Sequence, residues 1–225
     1  MIISPIAHIR TEFSEKFGIP RQSGLAASLR GTIVFEHEYR NADALRGLEG
    51  FSHLWLIWGF SENLDKGWSP TVRPPRLGGN TRVGVFATRS PFRPNGLGLS
   101  SVKIVEIKTD PKLGPVIVVS GADLMDGTPI FDIKPYIPYA DCQTEATGGF
   151  TDTAGEYLLQ VEFPAQLLQC LPEDKWEAAI EVLSHDPRPS YQRKPGRVYG
   201  LTFAGFDIRF TVEEDLLQVV DVAAV

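Results

Sequence analysis

Between Gly31 and Lys134 the apolar residues come in short β-branched or aromatic runs, each cut off by proline or glycine, and no long helical period separates one run from the next. The runs are Gly31–Phe35, Phe51–Phe60, Leu99–Ile107, Val116–Val119 and Pro129–Lys134. A doubly wound α/β sheet needs an amphipathic helix after nearly every strand, so this spacing predicts a closed or strongly curved, mainly β structure. Ile2–Ile9 reads as a first strand broken by Pro5, and Asn41 as the cap of a short helix ending at Gly47. The almost unbroken run Phe51–Phe60 predicts a central strand buried on both faces, with His53 a hydrogen-bonded core residue. A polar, glycine-containing linker from Cys142 to Gly155 is followed by a helical stretch, Glu173–Leu183, and by strands at Val198–Phe203, Ile208–Val212 and Leu216–Val220. The chain is therefore expected to divide into a β domain over 1–145 and a small α+β region over 146–225.

Within this pattern one turn stands out. Val83–Phe86 suits a buried strand, and the chain then enters Ala87-Thr-Arg-Ser-Pro-Phe-Arg-Pro-Asn95, where Pro91 and Pro94 fix φ and remove backbone donors. Arg89 and Arg93 project from a stiff loop and lose little freedom on closing around a carboxylate or phosphate. The plainer alternative is a pair of arginines salt-bridged to the protein's own acids. The net charge of −6 speaks against a polyanionic partner, but its distribution does not: from Gly67 to Val105 there is no Asp or Glu, while Arg73, Arg76, Arg82, Arg89, Arg93 and Lys103 lie there. A local basic field can hold nucleic acid on an acidic protein. A second basic cluster, Arg188, Arg193, Lys194 and Arg197, is interleaved with prolines and Tyr191, and could combine phosphate contacts with a stacking face. A solvated loop between strands is the competing reading.

No apolar run approaches the roughly twenty residues of a membrane span. The first ten residues lack a basic leader and apolar segment, and only Cys142 and Cys170 occur, so a reducing cytoplasm is expected. His8, His37, His53 and His185 are scattered without ligand spacing, so no metal site is expected.

The stretch Ala122–Asp141 is the densest in polar groups held among prolines. Asp126-Gly127 makes a tight turn with the Asp126 carboxylate and Thr128 hydroxyl at its tip, and a following strand puts Asp132 and Lys134 on one face, with Tyr136 and Tyr139 beyond. An ordinary ion pair would explain Asp132 and Lys134, but so many polar groups among fixed prolines favour a site.

The segments Phe86–Asn95 and Asp126–Asp141, with Phe51-Ser-His-Leu-Trp55, resemble the TsaA-like family, whose characterised members are tRNA methyltransferases of the TrmO type. The likeness runs from Ile6 to Asp141, and Asp186-Pro-Arg-Pro-Ser-Tyr191 is similar to the smaller C-terminal region of bacterial members. It implies a single-sheeted β-barrel that binds S-adenosylmethionine, forms a homodimer and methylates N6 of threonylcarbamoyladenosine beside the anticodon; that the loop Asp186–Arg197 grips the anticodon stem-loop is an expectation from its own charge and prolines. It also implies no G-x-G-x-x-G cofactor turn, and none is present. Two positions depart from the family pattern: Asn95-Gly-Leu-Gly98 replaces Asn-Pro-Ile-Gly, and Ser61-Glu62 stands where a histidine and glutamine are frequent.

On this basis the cofactor is expected among Ser23, Gly24, Leu25, Ser61, Glu62, Arg89, Arg93, Leu99 and Asp126 to Pro129 (Gly127 and Thr128 between), with an arginine on its carboxylate. Asp126, Asp132 or Tyr136 would take the proton released from N6. Arg93, Asn95, Lys134, Arg188, Tyr191, Arg193, Lys194 and Arg197 would hold the tRNA. The alternatives are a non-catalytic RNA-binding barrel and, more weakly, a metal-dependent hydrolase using Asp126 or Asp132.

Overall fold

The computed structural model of the chain describes residues 2–152, 157–188, 194 and 196–225, apart from the side chains of residues 64–66 and 76. Eight strands precede residue 136: β1 (Ala7–Arg10), β2 (Arg30–Phe35), β3 (His53–Gly59), β4 (Thr71–Val72), β5 (Val83–Gly84), β6 (Leu97–Asp110), β7 (Gly114–Ser120) and β8 (Pro129–Pro135). Six of them pair in the cyclic order β1-β2-β7-β6-β3-β8, and β8 returns to β1 through Ala7 and Ile130. Every pairing in this closed ring is antiparallel, so no strand edge of it is left without a partner strand.

Alternation explains the register. In β2 Gly31 and the side chains of Ile33 and Phe35 are on the inward face, and in β3 the side chains of Leu54, Leu56 and Trp58 are. With Ile9, Val102, Ile117, Val119 and Ile130 they make the core inside the ring. The expectation that Phe51–Phe60 is buried on both faces is corrected: Trp55 and Ile57 on the outward face of β3 are only half-buried. His53 is likewise no core residue; it sits half-exposed at the strand's start, its Nδ1 2.8 Å from the Ser52 hydroxyl. The first strand is shorter than Ile2–Ile9, because Pro5 has no amide to give the ladder. Val83–Phe86 is not a buried strand either. Only Val83 and Gly84 are extended, paired with Thr71 and Val72, and Phe86 is 74% exposed. The hairpin between β6 and β7 is tied by Asp110, whose carboxylate accepts the amides of Lys112 and Leu113, and these bonds lower its pKa.

The remaining elements are the short helices α1 (Pro138–Asp141) and α2 (Ala165–Leu168), the helix α3 (Trp176–Ser184), and four strands, β9 (Gln160–Glu162), β10 (Tyr199–Phe203), β11 (Phe206–Glu213) and β12 (Leu216–Ala224). The strands form a sheet in the order β10-β11-β12-β9, with β9 parallel to β12. A second core lies between this sheet and α3, built from Ala179, Leu183, Leu201, Phe203, Phe210 and Leu217. It also takes in Phe13, Ala26 and Leu29 from the segment between β1 and β2, and the Phe13 ring stands 5.5 Å from Phe203. Burying one such phenyl ring is worth about 1.5–3 kcal/mol, so that early segment is fastened to the C-terminal sheet. No helix among the described residues is long and apolar enough to cross a membrane.

Candidate functional site

At the end of the ring where β3 finishes and β6 begins, a cleft of about 520 Å³ opens. Its walls come from three places. Trp55 and Ile57 of β3 and Leu97 and Leu99 of β6 give an apolar side, the register setting Ile57 directly opposite Leu99. Trp58, one residue out of phase, turns inward over Gly98; a Cβ there would lie 2.3 Å from the indole, so glycine is needed for the ring to close down. The turn after β5 contributes Thr88, Arg89 and Arg93, and the segment before β2 contributes Pro20, Arg21 and Gln22.

The floor carries Asp123, which was missed in the sequence reading. It follows β7 directly. Gly121 turns the chain with φ +75°, approaching Gly24 so closely that a Cβ would lie 3.0 Å from the Gly24 Cα, and the amide of Gly24 donates to the Gly121 carbonyl at 2.8 Å. Ala122 and Leu124 are buried in the core on either side, while Asp123 itself is half-buried and lines the cleft. One of its oxygens accepts the Ser100 hydroxyl at 2.6 Å, and Ser100 in turn accepts the Trp58 indole N–H at 2.9 Å. Burial pushes the Asp123 pKa above the ordinary carboxylate value, against the opposing pull of Ser100, the Arg89 charge and the amide of Ser23. An acid between two buried apolar residues at a strand end was the signal available in the sequence; the Asp126-Gly127 turn nearby drew attention instead.

Of the residues expected at the cofactor, Arg89, Arg93 and Leu99 line this cleft. Arg89 bonds to the Gln22 side chain across its mouth. Arg93 is bound to its own turn, donating to the Thr88 carbonyl at 2.7 Å with its guanidinium 5.9 Å from the Phe86 ring; its partners are backbone carbonyls and not the acids the plainer reading named. Ser23 reaches the cleft through its amide, and Leu25 and Gly24 sit just behind it. Ser61, Glu62, Gly127, Thr128 and Pro129 are not in the lining. Thr128 is buried with its hydroxyl on the Met125 carbonyl. Neither are the three expected proton acceptors. Asp126 is a structural tie, accepting the Thr11 amide at 3.0 Å and pairing with Arg10 at 3.3 Å. Asp132 is ion-paired with Lys134 at 2.9 Å, which also accounts for Lys134. Tyr136 packs its ring 5.5 Å from Trp55 and 6.2 Å from His53. Trp55 is held in place by its N–H on Asp141, 3.0 Å away, and Asp141 also accepts the Ile137 amide. Asn95 is exposed outside the lining.

In the C-terminal region, Tyr191 and Arg193 lie outside the described residues. Lys194 and Arg197 are exposed. Arg188, expected on phosphate, is 6% exposed and bidentate to Asp186 at 2.7 and 3.0 Å. Burial alone would draw its pKa down, and the Asp186 carboxylate more than reverses that. A basic residue count cannot reveal such pairing. Among the described residues no three His, Cys, Asp or Glu side chains gather as metal ligands would.

A small mainly β scaffold holding a half-buried acid and an arginine pair at a strand-end cleft defines a small-ligand enzyme that does not use a Rossmann crevice. Residues 8–142 match the tRNA-methyltransferase O N-terminal domain and residues 156–225 the TrmO C-terminal domain, and the chain belongs to this tRNA methyltransferase family. It is 42% identical to the tRNA (adenine(37)-N6)-methyltransferase of Escherichia coli K12, over 93% of this chain and 92% of that one. A Pseudomonas aeruginosa relative, provisionally named an S-adenosylmethionine-dependent methyltransferase, is also 42% identical, over 98% of this chain and 97% of its own length. The crystal structure of TrmO from Pseudomonas aeruginosa superposes with a TM-score of 0.81 at 36% identity, covering 100% of this chain and 98% of that one.

Proposed function

We propose that the protein transfers a methyl group from S-adenosylmethionine to N6 of adenosine 37 in tRNA, with threonylcarbamoyladenosine beside the anticodon as the acceptor. The observation that carries this reading is the cleft, where the half-buried Asp123 carboxylate and the Arg89 guanidinium, tied to Gln22 across the mouth, face an apolar wall in a chain of this family. Its volume lies within the range of small-ligand sites, and its residues suit a ligand with a carboxylate at one end and a positive centre at the other. Arg89 holds the carboxylate, and Leu97, Leu99 and Trp58 hold the apolar body. The bound cofactor supplies a methyl group on a positively charged sulfur. The Trp55 and Tyr136 rings offer the acceptor purine a stacking surface beside the cleft, fixed by the Trp55 bond to Asp141. Asp123 accepts the proton that N6 releases on methylation; its raised pKa makes it a stronger base than an exposed aspartate. Ser100, Trp58 and the Ser23 amide hold it in place.

Nucleoside mass spectrometry of tRNA carrying the threonylcarbamoyl group, after incubation with protein and S-adenosylmethionine, tests this. One added methyl on that nucleoside is expected; an unmodified nucleoside with a tRNA of the protein's own source would overturn it.

The tRNA is gripped in part by Lys194 and Arg197, the two described and exposed members of the C-terminal basic cluster. Replacing both by alanine is expected to reduce the slope of log affinity against log salt by about 1–2, and to leave S-adenosylmethionine affinity unchanged. Filter binding across a salt series measures the first and calorimetry the second. An unchanged slope would remove these residues from the RNA contact. The exposed Trp68 and Phe86 are apolar surface that a second copy would cover, so the proposal includes a homodimer; a monomeric sedimentation coefficient at micromolar concentration would remove that part.

A further inference from the structure

The segment 17–29 has no regular structure, yet it forms one wall of the cleft through Pro20, Arg21 and Gln22, and it sends the Ser23 amide to Asp123. A strap of this kind needs something to hold it. The first turn after the cleft wall is gripped by a single side chain of α3. The carboxylate of Glu181 accepts the amide of Ala27 at 2.9 Å and the amide of Ser28 at 2.8 Å, and the Ser28 hydroxyl bonds to the second oxygen as well. One turn further along, the imidazole of His185 donates from Nε2 to the Leu25 carbonyl at 2.8 Å. Phe17, Ile19, Ala26 and Leu29 pack into the core of the C-terminal sheet on either side of these bonds. On its other side the strap bonds to the barrel through the Gly24 amide, which donates to the Gly121 carbonyl at 2.8 Å, and the Leu29 carbonyl, which accepts the Gly121 amide at 3.2 Å.

We infer that Glu181 and His185 are positioning residues for the cofactor cleft, so that the C-terminal region sets the shape of the methyl-donor site and does not serve only to hold RNA. This rests on the reading of the cleft as the S-adenosylmethionine site. The physical reason is the directness of the linkage. Each of the two side chains bonds to the backbone of the strap, and between Leu25 and the Ser23 amide there is only Gly24, which has φ +81° and no side chain to steady it. Charge-assisted bonds of a carboxylate to two amides and a hydroxyl are roughly twice as strong as neutral ones, so Glu181 is the stronger of the two anchors. Without it the Ala27 and Ser28 amides turn to water, and the wall from Pro20 to Ser23 samples positions in which Asp123 lacks its amide partner.

Calorimetric titration of S-adenosylmethionine into wild type, Glu181→Ala and Glu181→Gln, with hydrogen exchange of the strap in the cofactor-free proteins, tests this. Glu181→Ala is expected to weaken cofactor binding about tenfold, with faster exchange across residues 20–28 and an unchanged affinity for tRNA. Glu181→Gln keeps one acceptor oxygen and turns an amide donor toward other donors, and an intermediate loss is expected. Cofactor affinity within twofold of wild type in either folded variant would overturn the positioning role. Should wild type itself bind no S-adenosylmethionine, the reading of the cleft fails instead, and the two failures are distinct. If Glu181→Ala does not fold, the Glu181→Gln titration decides alone.

Discussion

Asp123→Asn is expected to lower kcat for methyl transfer by at least about 100-fold while making the cofactor-free protein more stable at neutral pH. The first effect follows from chemistry. Asparagine fills the same space and keeps one acceptor oxygen for Ser100, but it cannot take a proton, and a positioned general base contributes about 10²- to 10⁴-fold. The second follows from burial. The folded protein holds the Asp123 proton more tightly than the unfolded chain does, where an aspartate titrates near about 3.9. The contribution of this group to stability is therefore full below that value and is lost as pH rises through the raised folded pKa, and asparagine removes the loss. In wild type, kcat/KM for S-adenosylmethionine should climb with pH through an apparent pKa raised from the ordinary aspartate value by burial, and that limb should disappear in the variant. Kinetics across a pH series and thermal unfolding without cofactor measure the two. A variant turning over within about fivefold of wild type would exclude Asp123 as the base. Higher activity bought with lower stability is the pattern expected of a site residue.

The second large effect is expected at a residue outside the cleft lining. Arg188→Met should destabilise the protein by about 3–5 kcal/mol, because it takes the bidentate guanidinium from Asp186, a buried carboxylate. Asp186 has φ 49°, in the left-handed region that aspartate tolerates better than most residues, and its bonds to the Arg188 side chain and amide hold the turn there. The guanidinium also lies 5.9 Å from the Tyr199 ring, which stacks at 5.7 Å on Phe210 of the second core. Arg197, 5.1 Å from the same ring but exposed, provides the control: Arg197→Ala should lose no more than about 1 kcal/mol. Urea unfolding with equal m-values for the variants separates these outcomes. Equal midpoints for Arg188→Met and wild type would show the pair to be dispensable for stability, leaving Arg188 available for RNA.

These two residues also mark where the sequence was legible and where it was not. Alternation in Arg30–Phe35 and the β-branched runs of β6 and β7 carry their own period, so the mainly β character and the late sheet could be read directly. The outward face of β3 could not, since Trp55 and Ile57 are as apolar as their buried neighbours and only the cleft beside them explains why they need no further covering. The proline-rich turns are where a family likeness is visible, yet stiffness and chemistry look alike in such segments. Arg93 and Asp126 hold backbone, whereas Arg89, on the same turn, faces the ligand space. Asp123 and Arg188 depend on what lies across space from them: Ser100 and Trp58 for the one, the depth of the 186–188 turn for the other.

A crystal structure with bound S-adenosylmethionine tests the cleft assignment most directly. Difference density is expected between Trp58 and Leu99, with the carboxylate of the ligand on Arg89 and its sulfonium side toward Asp123. Density at the Asp126–Pro129 turn, with the Asp123 cleft empty, would contradict it.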